Sequence, residues 1–480
     1  MFSCAPWWRS QISAGKITPT AGCAPTIAVS PGSPEICSDC ARQRARPRLS
    51  GLKNIPKLWI NREVRVLFPL SKSSADARLN RVVVTGAGII TALGSGWQVN
   101  AEGFRAGRPA FRPVTLFDVS RQRSKIAAEI DLPSELPSTR LSANTARRLD
   151  RATRMLLHAA QEAWTQAGWE PSDNLPVVLG TTSGEMALGE KYLEQALVSP
   201  RAQRRQPTRV VHYQVQQQGL NLCSAFGFQG PLTSISNACA SGANAIGHAW
   251  EMLRNGRAER VLTGGYDTLC QLTFAGFDSL QALSPTACRP FDALRDGLTL
   301  GEGAAILTLE TLARAQKRGA EILGEIIGYG AATDTHHLTQ PHPEGKAALA
   351  AMTAACMSAT ISPAQVDYVN AHGTATPHND ATEAAAINRW AGAGVKNLRV
   401  SSTKAVSGHS LGAAGAIEAV VCLMALRGQW LPPQPSIKLP DPACHFHIVR
   451  EPADAKIETA LSNSFGFGGA NATLIFRRWS

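Results

Sequence analysis

The feature that most constrains this fold is a repeated alternation of short apolar runs with longer helical patterns, which starts near residue 81 and continues to residue 480. A first series of apolar runs predicts buried strands at 82–90, 175–179, 232–236 and 261–265, with one more ending near residue 309. A second series predicts strands near 325–330, 367–371 and 399–402, and a hairpin around 465–476. Helical patterns lie between them at 144–168, 346–358, 380–391 and 412–427. Strands that alternate with helices predict an α/β fold, and two series in similar order predict two similar halves, residues 79–318 and 319–480.

Residues 1–78 have a different composition and form a basic N-terminal extension. They mix Pro, Ser, Gly and Arg without lasting periodicity, and they contain 12 Lys and Arg against 4 Asp and Glu. This composition predicts a disordered or weakly ordered segment. An Arg-rich, acid-poor segment also fits an organelle transit peptide, although its prolines would break a long amphipathic helix. We therefore favour the alternative of an upstream extension without a folded role. The pair Cys37 and Cys40 lacks a second pair at zinc-site spacing, so we predict no metal site there.

Composition and charge argue against several classes of function. The chain is 44% hydrophobic and 18% charged, as in ordinary globular proteins. We find no run of 18 or more apolar residues and therefore predict no membrane partner. Of the formal net charge of +12, residues 1–78 carry +8, and the remaining +4 gives little reason to expect a nucleic-acid partner. Seven single cysteines after residue 78 fit a reducing compartment, which predicts a cytoplasmic protein unless the extension directs it to an organelle.

A glycine-containing run, Gly86-Ala87-Gly88, ends the first predicted strand in an expected turn and is similar to a dinucleotide-binding fingerprint. Residue 91 is Thr where the third Gly would stand, and no acidic residue closes a second strand about 20 residues later. These departures argue against NAD binding. No other cofactor is predicted.

The most informative stretch is Ser234–His248, which predicts a short buried strand, a tight turn and a buried helix that opens at Cys239. Asn255 and Gly256 supply the stop signal of that helix. A thiol at a helix N-terminus lies among unpaired backbone N–H groups and the positive end of the helix dipole, which favour the thiolate. Cys239 is therefore a candidate nucleophile. A lone cysteine in an apolar setting is also often an inert core residue, so this stretch alone leaves both interpretations open.

Two histidines occupy comparable positions further along the chain. His372 follows one predicted strand in Val369–Pro377, and His409 follows another in Ser401–Gly415. Both stand where a strand gives way to a Gly-containing turn, which is where α/β folds place their chemistry. Each histidine alone would more commonly be structural. Whether both converge on Cys239 decides between the two interpretations.

Taken together, these motifs resemble those of the β-ketoacyl-acyl-carrier-protein synthases, and the elongation branch in particular. The resemblance extends from Val82–Gly88 to Asn463–Ala472, with Cys239, His372 and His409 in the same order. It implies a thiolase-like, five-layered α/β/α/β/α sandwich made of two similar halves. It also implies a decarboxylative condensation of malonyl-acyl carrier protein with an acyl group held on Cys239, which lengthens a fatty-acid, polyene or polyketide chain by two carbons.

The resemblance implies a role for each catalytic residue. Cys239 would take the acyl chain from a thioester, with the backbone N–H groups of Cys239 and Phe467 as the oxyanion hole. Glycines beside Phe467 allow such a close backbone approach. His372 and His409, as neutral imidazoles, would each donate a ring N–H to the enolate that forms when carbon dioxide leaves. A Cys-His-His set suits elongation with a malonyl carrier.

Other positions are implied as supporting residues and partners. Lys404 would tune the site electrostatically, and Glu418 on the following helix would pair with it, since an unpaired buried glutamate is costly. Thr374 and Thr376 would bind the pantetheine arm, and Phe467 would also gate the acyl pocket. The implied partner is an acyl carrier protein, the implied assembly is a homodimer, and no metal is implied.

Several positions depart from the commoner motifs of that family. Ala470 and Ala375 stand where Thr and Ser are more usual, and Asn379 stands where Gly is more usual before Asp380. These departures leave the choice between fatty-acid and polyene or polyketide synthesis open. Two alternative functions are a non-catalytic partner subunit of a ketosynthase heterodimer and a biosynthetic thiolase. The complete set of Cys, two His and Lys argues against the first, and the spacing of the Lys and the second His argues against the other.

Two regions outside this set carry surface expectations. Four arginines of the predicted helix 144–168 form either a solvated face or a docking site for the carrier, and they are Arg147, Arg148, Arg151 and Arg154. Residues 213–218 are expected to cover the site or to contribute to dimer contacts.

Overall fold

The structure is a computed structural model that describes residues 79–169, 174–199 and 209–480. The predicted extension 1–78, with Cys37 and Cys40, lies outside the described residues.

The first half of the fold alternates strands and helices up to residue 317. Its strands are β1 (Val82–Thr91), β2 (Gly94–Ser95), β3 (Arg112–Pro113), β4 (Ile126–Ala127), β5 (Val177–Gly180), β6 (Leu232–Ile235), β7 (Arg260–Asp267) and β8 (Gly303–Thr311). Its helices are α1 (Trp97–Arg105), α2 (Ala143–Ala146), α3 (Arg151–Ala167), α4 (Met186–Val198), α5 (Arg209–His212), α6 (Gln217–Phe226), α7 (Ser241–Arg254), α8 (Gln271–Ser279) and α9 (Leu312–Lys317).

The second half repeats the alternation. Its strands are β9 (Gly324–Thr333), β10 (Tyr368–Asn370), β11 (Arg399–Ser401), β12 (Trp430–Leu431), β13 (His447–Ile448), β14 (Ala453–Asp454), β15 (Thr459–Phe465) and β16 (Ala470–Arg477). Its helices are α10 (Lys346–Ala359), α11 (Pro377–Ala391), α12 (Lys404–Ser407) and α13 (Ala414–Gly428). Short 3₁₀ turns lie at Pro363–Gln365, Gly392–Asn397, Leu411–Ala413 and Phe467–Gly469.

Both halves build their main sheet with the same strand order and directions. The order is β1-β8-β7-β5-β6 in the first half and β9-β16-β15-β10-β11 in the second. In each sheet the first two pairings are antiparallel and the last two are parallel. β1 also pairs with β9 through Val82–Val84 and Gly324–Ile326, which joins the two sheets. The repeated order confirms two similar halves, while the boundary between residues 318 and 319 stays a prediction.

Helices cover both sheets and fill the space between them. α3 packs on β1 and β8 at one face of the fold, and α10 packs on β9 and β16 at the other. α7 and α13 contact each other and strands of both sheets, so they form the central layer. The predicted five-layered α/β/α/β/α sandwich is therefore confirmed. Its largest apolar core lies around the two central helices.

The central helix α13 is apolar on every side. Together with the preceding 3₁₀ turn it forms Leu411–Gly428, whose mean hydropathy of 1.6 over 18 residues is high enough for a membrane span. Nearly all of this segment is buried inside the fold. The segment includes Glu418 and Arg427, so it is not an uninterrupted apolar run, and packing against two sheets explains its composition.

The glycine-containing run of β1 serves strand–helix packing. The expected turn is wrong, because β1 continues through it as one buried strand. An ideal Cβ at Gly88 would lie 2.0 Å from the backbone oxygen of Ala159, and one at Gly86 would lie 2.2 Å from that of Ala163. Both partners belong to α3. The glycines thus let the backbones of β1 and α3 approach more closely than any side chain would permit.

The predicted helix 144–168 is divided into α2 and α3. Asp150 lies between them with an extended backbone, and its carboxylate accepts the N–H of Thr153 at 2.6 Å. This is an N-cap, which starts a new helix rather than continuing the old one. At the other end, Gly168 ends α3 in the left-handed conformation.

The four arginines of this region do not form one solvated face. Arg147 and Arg148 are exposed, but Arg151 is largely buried and forms an ion pair with the fully buried Glu302. Arg154 donates to the carbonyl of residue 133 at 3.1 Å. The solvated-face interpretation is wrong for Arg151, because its guanidinium is paired with the buried carboxylate of Glu302, directly before β8.

Candidate active site

The predicted catalytic residues lie in turns at the carboxyl ends of parallel strands. Cys239 follows β6, His372 follows β10, and Lys404 and His409 follow β11. A cavity of about 410 Å³ opens at this edge of the sheets. Its lining includes Cys239, Phe277, His372, Thr374, Thr376, His409, Phe465 and Phe467. The cavity thus brings the cysteine of one half together with both histidines of the other.

Cys239 lies in a tight turn between β6 and α7. The preceding Ala238 has φ +57°, a left-handed conformation that is strained for a residue with a Cβ. The hydroxyl of Ser241 secures the turn by donating to the Ala238 carbonyl at 2.6 Å and accepting the N–H of Asn237 at 2.9 Å. α7 begins two residues after Cys239, whose side chain is only 6% exposed. The strained turn presents the sulfur to the cavity.

The protonation of the thiol departs from the sequence expectation. Burial raises the pKa of Cys239 to about 12, although Lys404 acts in the opposite direction. Asp267 raises this pKa further, and the backbone N–H groups of Phe467 and Cys239 lower it. Desolvation thus opposes the stabilisation of the thiolate that the sequence predicts for a helix N-terminus.

The loop after β15 brings a second N–H group to the sulfur. The backbone N–H of Phe467 interacts with Cys239, as does the N–H of Cys239 itself. Gly466 permits this approach, since an ideal Cβ there would lie 3.0 Å from the Asn237 oxygen. The Phe467 ring is 39% exposed and stacks on Phe277 with centroids 5.6 Å apart. Phe467 therefore places its backbone N–H near the sulfur and its ring in the cavity wall.

The two histidine rings meet inside the cavity. The centroids of His372 and His409 are 5.3 Å apart, and the rings are nearly perpendicular at 84°. Burial, together with Lys404, lowers the pKa of both imidazoles well below the ordinary value, and His409 lowers that of His372 further. Both rings are therefore neutral near pH 7, and each can present one N–H group without adding charge.

A buried glutamate holds the backbone of the first histidine. Glu383 of α11 accepts the N–H groups of His372 and Gly373 at 2.8 and 2.7 Å. The side-chain amide of Asn463 donates to the same carboxyl group at 3.1 Å. Burial raises the pKa of Glu383 to about 7 despite these donors. The turn after β10 is thereby fixed to the helix that follows it.

The second histidine is held through its own backbone. The N–H of His409 donates to the Thr299 carbonyl at 2.8 Å, and its carbonyl accepts from Gly301 at 3.0 Å. These bonds tie the turn after β11 to the segment that precedes β8. The second half thus supplies the histidine, and the first half positions it.

Behind the histidines lies a buried ion pair. Lys404 Nζ donates to the carboxylate of Glu418, and each side chain is 2% exposed. Burial raises the pKa of Glu418 to about 7, and Lys404 opposes this shift. The predicted pairing on α13 is present in the structure, and its positive end lies close enough to affect the pKa of Cys239, His372 and His409.

The two predicted threonines lie together at the cavity wall. Their hydroxyl groups, Thr374 Oγ1 and Thr376 Oγ1, are 2.9 Å apart. The intervening Ala375 has φ +65°, and the buried Asp380 accepts the N–H groups of Thr374 and Ala375 at 3.0 Å each. This carboxylate fixes the backbone of the turn that carries both hydroxyl groups.

Sequence reasoning missed three buried carboxylates around the site, Asp267, Asp380 and Glu383. Each is fully or almost fully buried and accepts backbone N–H groups of the turns that carry the chemistry. A usable signal was present, because acidic residues at the end of an apolar strand or within an Ala-rich helix need buried partners.

Two further observations complete the site. Within 79–169, 174–199 and 209–480, no three His, Cys, Asp or Glu side chains are grouped as a metal would require.

None of residues 213–218 is among the described residues that line the cavity. The Val215 carbonyl instead accepts a hydrogen bond from the hydroxyl of Tyr266 at 2.8 Å. The segment therefore does not cover this cavity, and its place in a dimer stays a prediction.

The chain matches two family models. Residues 79–315 match the beta-ketoacyl synthase N-terminal domain, and residues 323–438 match the beta-ketoacyl synthase C-terminal domain.

Individual proteins with similar sequences and structures were also found. The 3-oxoacyl-[acyl-carrier-protein] synthase 2 of Synechocystis is 38% identical over 425 residues, which cover 84% of this chain and all of that protein. The protein of the same name from Coxiella burnetii is 37% identical and covers 83% of this chain and 98% of its own length. Among solved structures, the ishigamide ketosynthase/chain length factor has a TM-score of 0.78 at 32% identity, covering 84% of this chain and all of that one. A beta-ketoacyl synthase from Burkholderia phymatum has a TM-score of 0.75 at 34% identity with the same coverage.

Proposed function

Because the chain belongs to the β-ketoacyl synthase family, we propose that it is a 3-oxoacyl-[acyl-carrier-protein] synthase, an acyltransferase that condenses an acyl group with a malonyl unit. The observation that carries this proposal is the convergence of Cys239, His372 and His409 on one cavity. A nucleophile beside two neutral hydrogen-bond donors is what acyl transfer followed by decarboxylation requires.

In the first half-reaction, the sulfur of Cys239 attacks the carbonyl carbon of an acyl-carrier thioester. A bond to Cys239 forms, the bond to the sulfur of the carrier arm breaks, and the proton of the thiol ends on the released carrier thiol. The backbone N–H groups of Cys239 and Phe467 stabilise the oxyanion. Because burial raises the pKa of the thiol, the positive charge of Lys404 assists its ionisation.

In the second half-reaction, a malonyl-carrier thioester enters the same cavity and loses carbon dioxide. The electrons of the broken C–C bond move onto the thioester oxygen, where His372 and His409 each donate a ring N–H. Neutral imidazoles suit this step, since a protonated ring would attract the malonyl carboxylate and oppose its loss as carbon dioxide. The enolate carbon then attacks the acyl-Cys239 carbonyl. A new C–C bond forms, the cysteine sulfur leaves and takes up a proton, and the chain has grown by two carbons.

The remaining predicted residues support these steps. Lys404 provides positive charge behind the site, and Glu418 keeps that charge paired in the core. Thr374 and Thr376 offer hydroxyl groups at the cavity wall to the pantetheine arm of the carrier. Phe467, a partly exposed ring stacked on Phe277, gates the acyl pocket.

Partner, assembly, domains and location are part of the same proposal. The acyl carrier protein is the partner, in its acyl and malonyl forms, and the protein acts as a homodimer. Solved relatives include a ketosynthase in complex with its acyl-carrier protein, 28% identical, and one with its chain length factor, 29% identical. Residues 79–318 form the half with the nucleophile and residues 319–480 the half with both histidines. The location is cytoplasmic, and seven cysteines without disulfide bonds among the described residues support a reducing compartment.

Intact-protein mass spectrometry tests the proposal. Wild type should gain an acyl adduct from acyl-carrier thioesters, whereas Cys239→Ala should gain none and form no condensation product. His409→Asn should still load the acyl group but lose decarboxylation of malonyl carrier by about 100-fold. Cys223→Ala, a change at a half-buried cysteine outside the cavity, is the matched control and should behave as wild type.

The outcomes separate the alternatives. Product formation by Cys239→Ala would refute the mechanism, and absence of any adduct on wild type would favour a non-catalytic partner subunit of a ketosynthase heterodimer. Condensation with CoA thioesters but not with carrier thioesters would favour a biosynthetic thiolase. Donors of graded length and unsaturation define the pathway, because preference for long saturated chains indicates fatty-acid synthesis and preference for polyunsaturated chains indicates polyene or polyketide synthesis.

A further inference from the structure

Asp267 is a fully buried carboxylate at the carboxyl end of β7, and no step of the mechanism above uses it. Its Oδ1 accepts the Thr181 hydroxyl at 2.8 Å and the N–H of Ser183 at 3.0 Å. Its Oδ2 accepts the N–H of Thr182 at 2.7 Å and that of Gly412 at 2.6 Å. Both oxygens are therefore fully engaged, as a buried anion requires.

The donors belong to two turns from different halves of the fold. Thr181–Ser183 is the turn after β5, which is the neighbour of the nucleophile strand β6. Gly412 lies three residues after His409, in the turn that follows β11. One carboxylate thus holds the turn of the second histidine against the sheet that carries the cysteine.

The same turn lies directly against the nucleophile helix. An ideal Cβ at Gly242 in α7 would lie 2.7 Å from the backbone oxygen of Gly412. An ideal Cβ at Gly412 would lie 2.6 Å from Asp267 Oδ2 and 2.5 Å from the N of Thr182. These contacts leave no room for the turn to move toward α7, and the bond to Asp267 prevents it from moving away.

The charge of Asp267 also reaches the sulfur. Asp267 raises the pKa of Cys239, whereas Lys404 lowers it, so the two charges oppose each other at the thiol. The titratable side chains that line the cavity together with the sulfur are Asp334, His337, His372, His378 and His409, of which His372 and His409 are neutral near pH 7.

We propose that Asp267 is a positioning residue of the condensing site, which ties the turn of His409 to the turn after β5 and so holds it against the nucleophile helix. This inference rests on the proposed roles of Cys239 and His409. Removal of the charge should ease ionisation of the thiol, and removal of the hydrogen bonds should misplace the histidine.

Alkylation of Cys239 by iodoacetamide as a function of pH tests the charge, and it needs no condensing activity. In Asp267→Asn the midpoint of the rate profile should fall by about one pH unit, with an alkylation rate about tenfold higher below both midpoints. The matched control is Glu310→Gln, which neutralises another fully buried carboxylate, on β8, that binds Thr85, Trp169 and Arg318. Its alkylation profile should equal that of wild type. An unshifted midpoint in a folded Asp267→Asn variant, or an equal shift in Glu310→Gln, would refute the effect of the Asp267 charge on the thiol.

Steady-state kinetics test the positioning. Asp267→Asn should lower kcat for decarboxylation of malonyl carrier by about tenfold and leave KM within about twofold, because His409 touches the enolate and not the carrier arm. Thr181→Val keeps the charge and removes one donor to Asp267, so it should lower kcat by about threefold and leave the alkylation midpoint in place. An unchanged kcat in Thr181→Val would refute the positioning role even if Asp267→Asn does not fold. Loss of the proposed function would appear separately, as condensation by Cys239→Ala.

Discussion

Replacement of Glu185 by Gln should remove a pH-dependent penalty on the stability of the fold. Glu185 is 4% exposed at the start of α4, and its carboxyl group accepts the N–H of Ala152 at 2.8 Å. The charged groups that face it are the carboxylates of Asp150 and Glu302 and the guanidinium of Arg151, which is already paired with Glu302. Ionisation would therefore place a second carboxylate beside Asp150 without a free cation among these neighbours.

The magnitude follows from the pKa. Burial raises the pKa of Glu185 from 4.5 to about 8, and Asp150 adds to the shift. The folded state then holds a proton that the unfolded state releases, so wild-type stability falls as pH rises from about 4.5 to about 8 and levels off above that. At 1.36 kcal/mol per pH unit, the penalty is about 1.4 kcal/mol at pH 5.5 and about 3.4 kcal/mol at pH 7. Gln keeps the acceptor for Ala152 and carries no such penalty.

Urea unfolding followed by circular dichroism at several pH values measures the difference. The stability of Glu185→Gln relative to wild type should increase by about 2 kcal/mol between pH 5.5 and pH 7 and change little above pH 9. Glu102→Gln, a change at an exposed side chain of α1, serves as control and should follow the wild-type curve. A constant difference between Glu185→Gln and wild type across this range would refute the reasoning.

Two other variants test the ion pair and the packing of β1. The double variant Lys404→Met with Glu418→Leu should have a free energy of unfolding in urea within about 1 kcal/mol of wild type, because apolar groups replace a buried ion pair. The same variant should show no condensation activity. Product formation by this variant would show that the ion pair has no electrostatic role in the reaction. Gly88→Ala should lower stability by about 3 kcal/mol in thermal unfolding, because its Cβ would lie 2.0 Å from a backbone oxygen of α3. The control Gly276→Ala, with nothing within 4 Å of the added Cβ, should change stability by less than about 1 kcal/mol. Equal effects of the two substitutions would contradict the packing argument.

The parts of this site that are local in sequence were predictable, and the parts that depend on burial were not. The strand, turn and small-residue helix around Cys239 form a continuous pattern, as do the turns of His372 and His409. The raised pKa of the thiol was not predictable, because it arises from desolvation by elements far apart in the chain. Asp267 was missed for the same reason, since its partner Gly412 lies 145 residues away. The glycines of β1 looked like a phosphate-binding turn because backbone–helix contact and phosphate binding select the same residue.

The repeated strand order also constrains how the protein is made. In each half, the strand synthesised last of the five is inserted between the first and the fourth, as β8 is between β1 and β7 and β16 is between β9 and β15. During translation, the sheet of the second half therefore stays open between β9 and β15 until residues 470–477 have left the ribosome. The loop that carries Phe467 joins β15 to β16, so its position in the fold is fixed only after β16 has paired. A chain that stops short of β16 retains Cys239 and both histidines but has no strand between β9 and β15 to close its second sheet.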